Sequence, residues 1–105
     1  LISKIKNGPK SEIVPIDKTY ENYYSVNKTT KPILTKFERA KILGVRSEML
    51  ASGSPALINV PDYINNTYEI ALLEFKERKI PLLIKRIMPN GNIEYWRLED
   101  LSIIN

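Results

Sequence analysis

The sequence predicts an α+β fold: a two-helix core with a C-terminal β-hairpin, preceded by an extended N-terminal arm. Three observations predict it. A capping box at Thr35 opens an apolar helical period, a second capped apolar stripe starts at Asn66, and Asn90-Gly91 separates two β-like runs. The arm covers residues 1–34 and the core residues 35–105. At 105 residues the chain is one small domain at most, and domains of this size bury only about two-thirds of their unfolded surface.

The arm shows no sustained helical period and contains Pro9, Pro15 and Pro32. A short strand is expected at Ile13-Val14. Tyr20, Tyr23 and Tyr24 are unusual there, because purely disordered linkers are poor in aromatics. Two readings stand side by side: a solvated tail, or an arm that docks on a partner through those tyrosines.

The first helix opens at Thr35-Lys36-Phe37-Glu38, where the Thr35 hydroxyl accepts from the Glu38 amide and the Glu38 carboxylate reaches back. It runs to about Ser52; Gly53 supplies a left-handed stop and Pro55 prevents continuation. At ~100° per residue, Phe37, Ala40, Leu43, Gly44, Ser47, Leu50 and Ala51 share one side. Ile42, Val45 and Met49 fall nearly opposite. Arg39 and Arg46 share a strip between these faces, and Lys41 and Glu48 share the other.

Ala56 to Val60 reads as a short strand or extended segment, followed by a loop from Pro61 to Asn65. Asn66 is the expected N-cap of the second helix, with Glu69 three residues on. Tyr68, Ala71, Leu72 and Phe75 form one apolar stripe; Ile70 and Leu73 form another. Glu74 and Arg78, four apart, are expected to pair on the surface. The runs Ile80 to Met88 and Ile93 to Leu98 flank Pro89-Asn90-Gly91-Asn92, and an Asn-Gly pair so placed is a strong hairpin signal. A last turn at Glu99-Asp100-Leu101 closes the pattern. Two helices and one hairpin cannot cover two apolar faces on each helix, so a partner is expected on the second face.

Composition removes several chemistries. The chain has no Cys and no His, hence no disulfide framework, no thiolate metal site and no imidazole base. The uninterrupted apolar runs are only a few residues long, as at Leu82-Leu83-Ile84, and fall far short of the ~20 residues of a membrane-spanning helix. The sequons at Asn27 and Asn65 read as chance, and the Leu1 start leads us to expect an upstream segment. The net charge of +4 lies mostly in the arm, which carries six Lys against Glu12, Asp17 and Glu21. A nearly balanced body is a weak signature of nucleic-acid binding.

Three blocks carry a family resemblance. The first is Thr35-Lys36-Phe37-Glu38-Arg39-Ala40 with Leu43-Gly44, Arg46 and the later Pro55. The second is Ile70-Ala71, Glu74, Lys76, Arg78-Lys79-Ile80-Pro81, Ile84 and Arg86. The third is Pro89-Asn90-Gly91, Glu94, Trp96 and Leu101. In this order and spacing the chain resembles the omega-type subunit of cellular RNA polymerases, most nearly the eukaryotic form shared by all three nuclear polymerases. Two departures stand out: Met49 replaces a usual Gln, and a basic arm stands where the eukaryotic form has an acidic extension. With a composition rich in Lys, Ile and Asn and poor in Arg, these departures tilt the reading toward the polymerase of a large DNA virus. The location would then be host cytoplasm and virion, and the nucleus for a cellular protein.

The resemblance implies an omega-like subunit that clamps the largest polymerase subunit near its C-terminal region and promotes assembly and stability. It implies further contacts with other polymerase subunits, no cofactor, no metal, no catalytic residue, no membrane, and nucleic acid only through the complex. The partner-binding residues it implies are Thr35, Phe37, Glu38, Arg39, Ile42, Gly44, Arg46, Met49 and Arg86. Arg39 and Arg46 suit this role through the bidentate guanidinium. Gly44 would admit another backbone closely, since glycine inside a helix costs about 1 kcal/mol relative to Ala. Glu74 and Glu77 read as surface carboxylates, Trp96 as core, and Lys85-Arg86 as a solvated strand face unless it binds phosphate. The competing function is a small basic nucleic-acid-binding module built on the arm and Lys85-Arg86. An enzymatic reading finds no nucleophile–base pair, metal spacing or phosphate loop.

Overall fold

The structure, a computed structural model, describes residues 10–16 and 29–103. Tyr20, Tyr23 and Tyr24 lie outside the described residues. In chain order the elements are β1 (Lys10–Pro15), β2 (Ile33–Leu34), α1 (Lys36–Ala51), α2 (Thr67–Lys76), β3 (Leu82–Ile87), β4 (Ile93–Arg97), a 3-10 turn (Leu98–Asp100) and β5 (Ser102–Ile103). The two helices pack on each other, and α1 also lies against β1 and β3.

The expected hairpin forms. β3 and β4 pair antiparallel, with Ile84 opposite Trp96 and Arg86 opposite Glu94. The turn closes through the Met88 amide to the Asn92 carbonyl at 2.8 Å, with Gly91 at φ +91°. The hairpin is nonetheless only part of the sheet. The strand expected at Ile13-Val14 extends over β1 and pairs antiparallel with β3, giving the order β1-β3-β4. Ile33 and Leu34 pair parallel with Ser102 and Ile103. Segments read as arm thus complete both sheets, because hairpins this small need a further strand or a helix against them.

Both helices end in the same way. After α1 the Gly53 amide bonds to Leu50 and the Ser54 amide to Met49, with Gly53 at φ +107°: a Schellman motif as expected. After α2 the Arg78 amide bonds to Phe75 and the Lys79 amide to Glu74, but here the left-handed position, φ +56°, is held by Arg78. Its guanidinium donates to the carbonyls of Leu98 at 3.0 Å and Leu101 at 2.7 Å. Those bonds offset the roughly 1–2 kcal/mol that a side chain costs in this backbone region. Arg78 is therefore not the surface partner of Glu74 that its spacing suggested.

One core joins the layers: Ile42 and Leu43 from α1, Ala71 and Phe75 from α2, Ile84 and Trp96 from the three-stranded sheet, Leu34 from β2, and Leu98 and Leu101 from the 3-10 turn and the residue after it. Residues 56–60 form no strand. Among the described residues they pair with no strand, and the Leu57 amide goes instead to the Glu74 carboxylate at 2.9 Å.

Candidate protein–protein interface

The first turn of α1 is a junction. Thr35 caps it as expected, accepting from the Glu38 amide at 3.0 Å while Glu38 accepts from the Thr35 amide at 3.1 Å. The Glu38 side chain does more than cap. It is 2% exposed and accepts from Ser11 Oγ on β1 and, bidentately, from Arg86 on β3: Nε at 2.9 Å and Nη2 at 2.8 Å. Arg86 places its remaining donors on Thr30 Oγ1 and on the carbonyls of Lys31 and Ile33, at 2.8–3.0 Å. All five guanidinium N–H groups are thereby used, and the group also stacks over the Trp96 ring at 5.4 Å.

Glu94, opposite Arg86, completes the junction. It accepts from the Thr29 amide at 2.7 Å, from both threonine hydroxyls, and from Trp96 Nε1 at 3.2 Å. Burial acts to raise the pKa of both carboxylates. Hydrogen bonds outweigh it, from Arg86, Ser11 and the Thr35 amide at Glu38 and from Thr30, Thr29 and Trp96 at Glu94. Each group is lowered from 4.5 to about 2.

A second buried pair fastens α1 to α2. Arg46 donates to Glu74 through Nε at 2.5 Å and Nη2 at 2.9 Å, and Nη2 also reaches the Pro55 carbonyl at 2.9 Å. Together with the bond from Leu57, this holds the chain just after α1. Burying two charges is costly, and such a pair persists only where the geometry is bidentate and the other lone pairs are filled. Both pairs meet that condition, and among the described residues no buried side-chain nitrogen or oxygen lacks a partner.

This corrects several expectations. Glu38, Ile42, Arg46 and Arg86 are buried within the chain, so none of the four presents its side chain at the surface. The Arg46 fork is taken by Glu74, which is itself buried rather than solvated; Glu77 is exposed. Arg86 is likewise not on a solvated strand face, whereas Lys85 is partly exposed and lies 3.9 Å from Glu12. The helix faces are rotated from the expected ones. The buried stripe of α1 is Glu38, Ile42, Leu43 and Arg46, with Val45, Met49 and Leu50 packed at its margins. Phe37, expected with Leu43, is 69% exposed.

The open side of α1 therefore carries Phe37, Ala40, Lys41, Gly44, Glu48 and Ala51, all exposed. A Cβ added at Gly44 would meet nothing within 4 Å, so no internal packing requires glycine there. Of the remaining candidates Thr35 is exposed, and Arg39 and Met49 are half-buried. Arg39 lies over the Phe75 ring at 5.2 Å. Tyr63, at 84% exposure, and Leu57 add apolar surface on the loop between the helices; nothing in the periodicity singled them out. Among the described residues no His/Cys/Asp/Glu group could hold a metal, and no helix is long and apolar enough to cross a membrane.

Comparison with known proteins finds similar chains among subunits of DNA-directed RNA polymerases. No family model matches it, but individual proteins do. A Schizosaccharomyces pombe protein named DNA-directed RNA polymerases I, II, and III subunit RPABC2 is 36% identical over 94 residues, 87% of this chain and 66% of that protein. The Saccharomyces cerevisiae protein of the same name is 37% identical over 76 residues, 72% of this chain and 48% of that protein. A Caenorhabditis briggsae protein named as a probable RPABC2 subunit is 38% identical over 74 residues, 70% of this chain and 53% of that protein.

The chain belongs to the family of these RPABC2 subunits. It spans between about half and two-thirds of the length of these relatives. The named relatives are from yeasts and a nematode and lend no support to the viral leaning taken from composition.

Proposed function

We propose that the protein is a non-catalytic subunit of a multisubunit DNA-dependent RNA polymerase, clamping the largest subunit and promoting its assembly and stability. The observation that carries this reading is the 36–38% identity to subunits shared by three RNA polymerases. The geometry supports a division of labour in the proposed contact. Glu38, Ile42, Arg46 and Arg86 fix the shape of α1 from within, while Thr35, Phe37, Arg39, Gly44 and Met49 remain at its surface to meet the partner. The working location on this reading is wherever that polymerase works, the nucleus in a cellular host.

An affinity-tagged copy, purified from its native cell with high-salt washes, tests the proposal by mass spectrometry of the co-purifying chains. Two very large polymerase subunits in near-equal amounts are the expected result. Recovery of nucleic acid alone, with a steep loss of binding as salt rises, would replace this reading with the basic nucleic-acid-binding module.

A further inference from the structure

A cleft of about 900 Å³ opens beside the first turn of α1, between β1 and the stretch from Thr30 to Thr35. The Glu38, Ser11 and Arg86 side chains line it, with Phe37 and Ile33 as its apolar walls. Lys10, Lys31 and Lys41 stand around it. The two carboxylates that line it, Glu12 and Glu38, are engaged by Lys85 and Arg86. Among the described residues the three lysines have no carboxylate partner; there Lys41 meets the Ser11 carbonyl at 3.1 Å and the Phe37 ring at 5.7 Å. The cleft is thus apolar in its walls and positive at its rim.

One of its sides is a sheet edge that is open among the described residues, since β1 is the outer strand of its sheet. The Ile16 amide bonds to the Pro81 carbonyl at 3.1 Å, continuing the register in which Glu12 faces Lys85 and Val14 faces Leu83. Antiparallel alternation then turns the N–H and C=O of Glu12 and Val14 toward β3, and those of Ser11 and Ile13 outward. Pro15 has no N–H and limits the open edge to this short stretch.

We propose that this cleft takes an acidic, extended segment of a partner protein, laid along the open edge of β1. Its carboxylates would face the three lysines, and its alternate side chains would rest on Phe37 and Ile33. A polypeptide fits better than a nucleic-acid strand, because an open edge presents both donors and acceptors, whereas a phosphate backbone has only acceptors to offer. The apolar walls also suit alternating side chains. The inference rests on the reading that the chain is a subunit of a larger assembly.

The test uses the full chain and a labelled peptide alternating glutamate with leucine, followed by fluorescence anisotropy and amide chemical shifts. Binding is expected to shift Ser11, Ile13 and the 30–35 amides. It should weaken roughly tenfold to hundredfold in a Lys10→Glu/Lys31→Glu/Lys41→Glu variant, which circular dichroism should show folded because all three lysines lie outside the core. Binding that survives the charge reversal would overturn the proposal. So would shifts confined to other faces, or a preference for single-stranded DNA of equal charge. The tagged pull-down separates the two readings. If wild type recovers polymerase chains and the variant recovers them equally well, the cleft proposal fails while the subunit reading stands. If wild type recovers none, the subunit reading itself fails.

Discussion

Arg86 joins β3 to α1 and to the segment before it through five hydrogen bonds, and its removal gives the sharpest test of how the fold is held. Substituting Met keeps an apolar stem near Trp96 but deletes five hydrogen bonds. Among the described residues Glu38 is then left with Ser11 Oγ and the Thr35 amide as donors, and the Lys31 and Ile33 carbonyls lose the Arg86 donors. Breaking a buried pair from one side typically costs ~3–5 kcal/mol, mostly because a charge stays buried without compensation. A domain of this length has only ~5–15 kcal/mol in total. Arg86→Met is therefore expected to lower stability by about 4 kcal/mol. At roughly 4–8 °C per kcal/mol that corresponds to a fall in Tm of ~15–30 °C.

Urea unfolding of the wild type, Arg86→Met, Glu38→Met and the double variant measures both the loss and its origin. If the cost is an uncompensated charge, the double variant should be more stable than Arg86→Met alone, with a coupling of ~2 kcal/mol or more. A single-variant loss below ~1 kcal/mol, or strictly additive effects, would refute the view that this pair holds β1, α1 and the 29–33 segment together.

Three further outcomes are expected. Glu38 and Glu94 titrate at 4.5 ordinarily and at about 2 in the fold; above pH ~5 both are ionised in both states and their contribution is complete. As pH falls from ~5 toward 2 the unfolded chain takes up protons first, so stability is lost, on the order of 3 kcal/mol for Glu38 at ~1.4 kcal/mol per pKa unit. The urea midpoint measured against pH should show this slope, and Glu38→Gln with Glu94→Gln should flatten it. Gly44→Ala should stabilise the isolated chain by ~0.5–1 kcal/mol, since its Cβ meets nothing, yet reduce polymerase recovery in the tagged pull-down; stabilisation with unchanged recovery would argue against close approach at this position. A chain that begins at Thr35 loses β1, β2 and the Thr29, Thr30 and Ser11 donors. It should show little cooperative unfolding by circular dichroism, and a melt like that of the full chain would mean that β1 and β2 are dispensable for the fold.

What the sequence made legible was local. The capping box at Thr35 and Glu38, the left-handed stop at Gly53, the Asn66 cap and the Asn-Gly turn each depend on residues within a few positions, and each formed. The long-range pairs were not legible. Glu74 stands four residues before Arg78, so local spacing offered that pairing. Tertiary packing gave Glu74 to Arg46, 28 positions away, and Arg78 to two carbonyls near the C-terminus. The same reason rotates α1: apolar counting put Phe37 with Leu43, but Glu38 and Arg46 displace the buried stripe because their charges are satisfied inside. Helical periodicity treats charged residues as solvent-facing, and here three ion-pair partners on the two helices, Glu38, Arg46 and Glu74, are core.

The residues that carry the family resemblance are therefore of two physical kinds. Glu38, Arg46, Glu74, Arg86 and Glu94 are all at most 4% exposed, and their charges are satisfied within the chain. Segments before residue 35 enter the same bonds through Ser11, Thr29 and Thr30, so a body too small to be held by its apolar core alone acquires further strands. Satisfying these charges internally also decides what remains outside. The exposed side of α1 keeps small residues around Phe37, and the nearby cleft keeps lysines whose neighbouring carboxylates are already engaged. The specificity of any contact at α1 is thus set at a distance by the buried pairs. They determine which face of the helix turns outward, and with it which charges are left for a partner to meet.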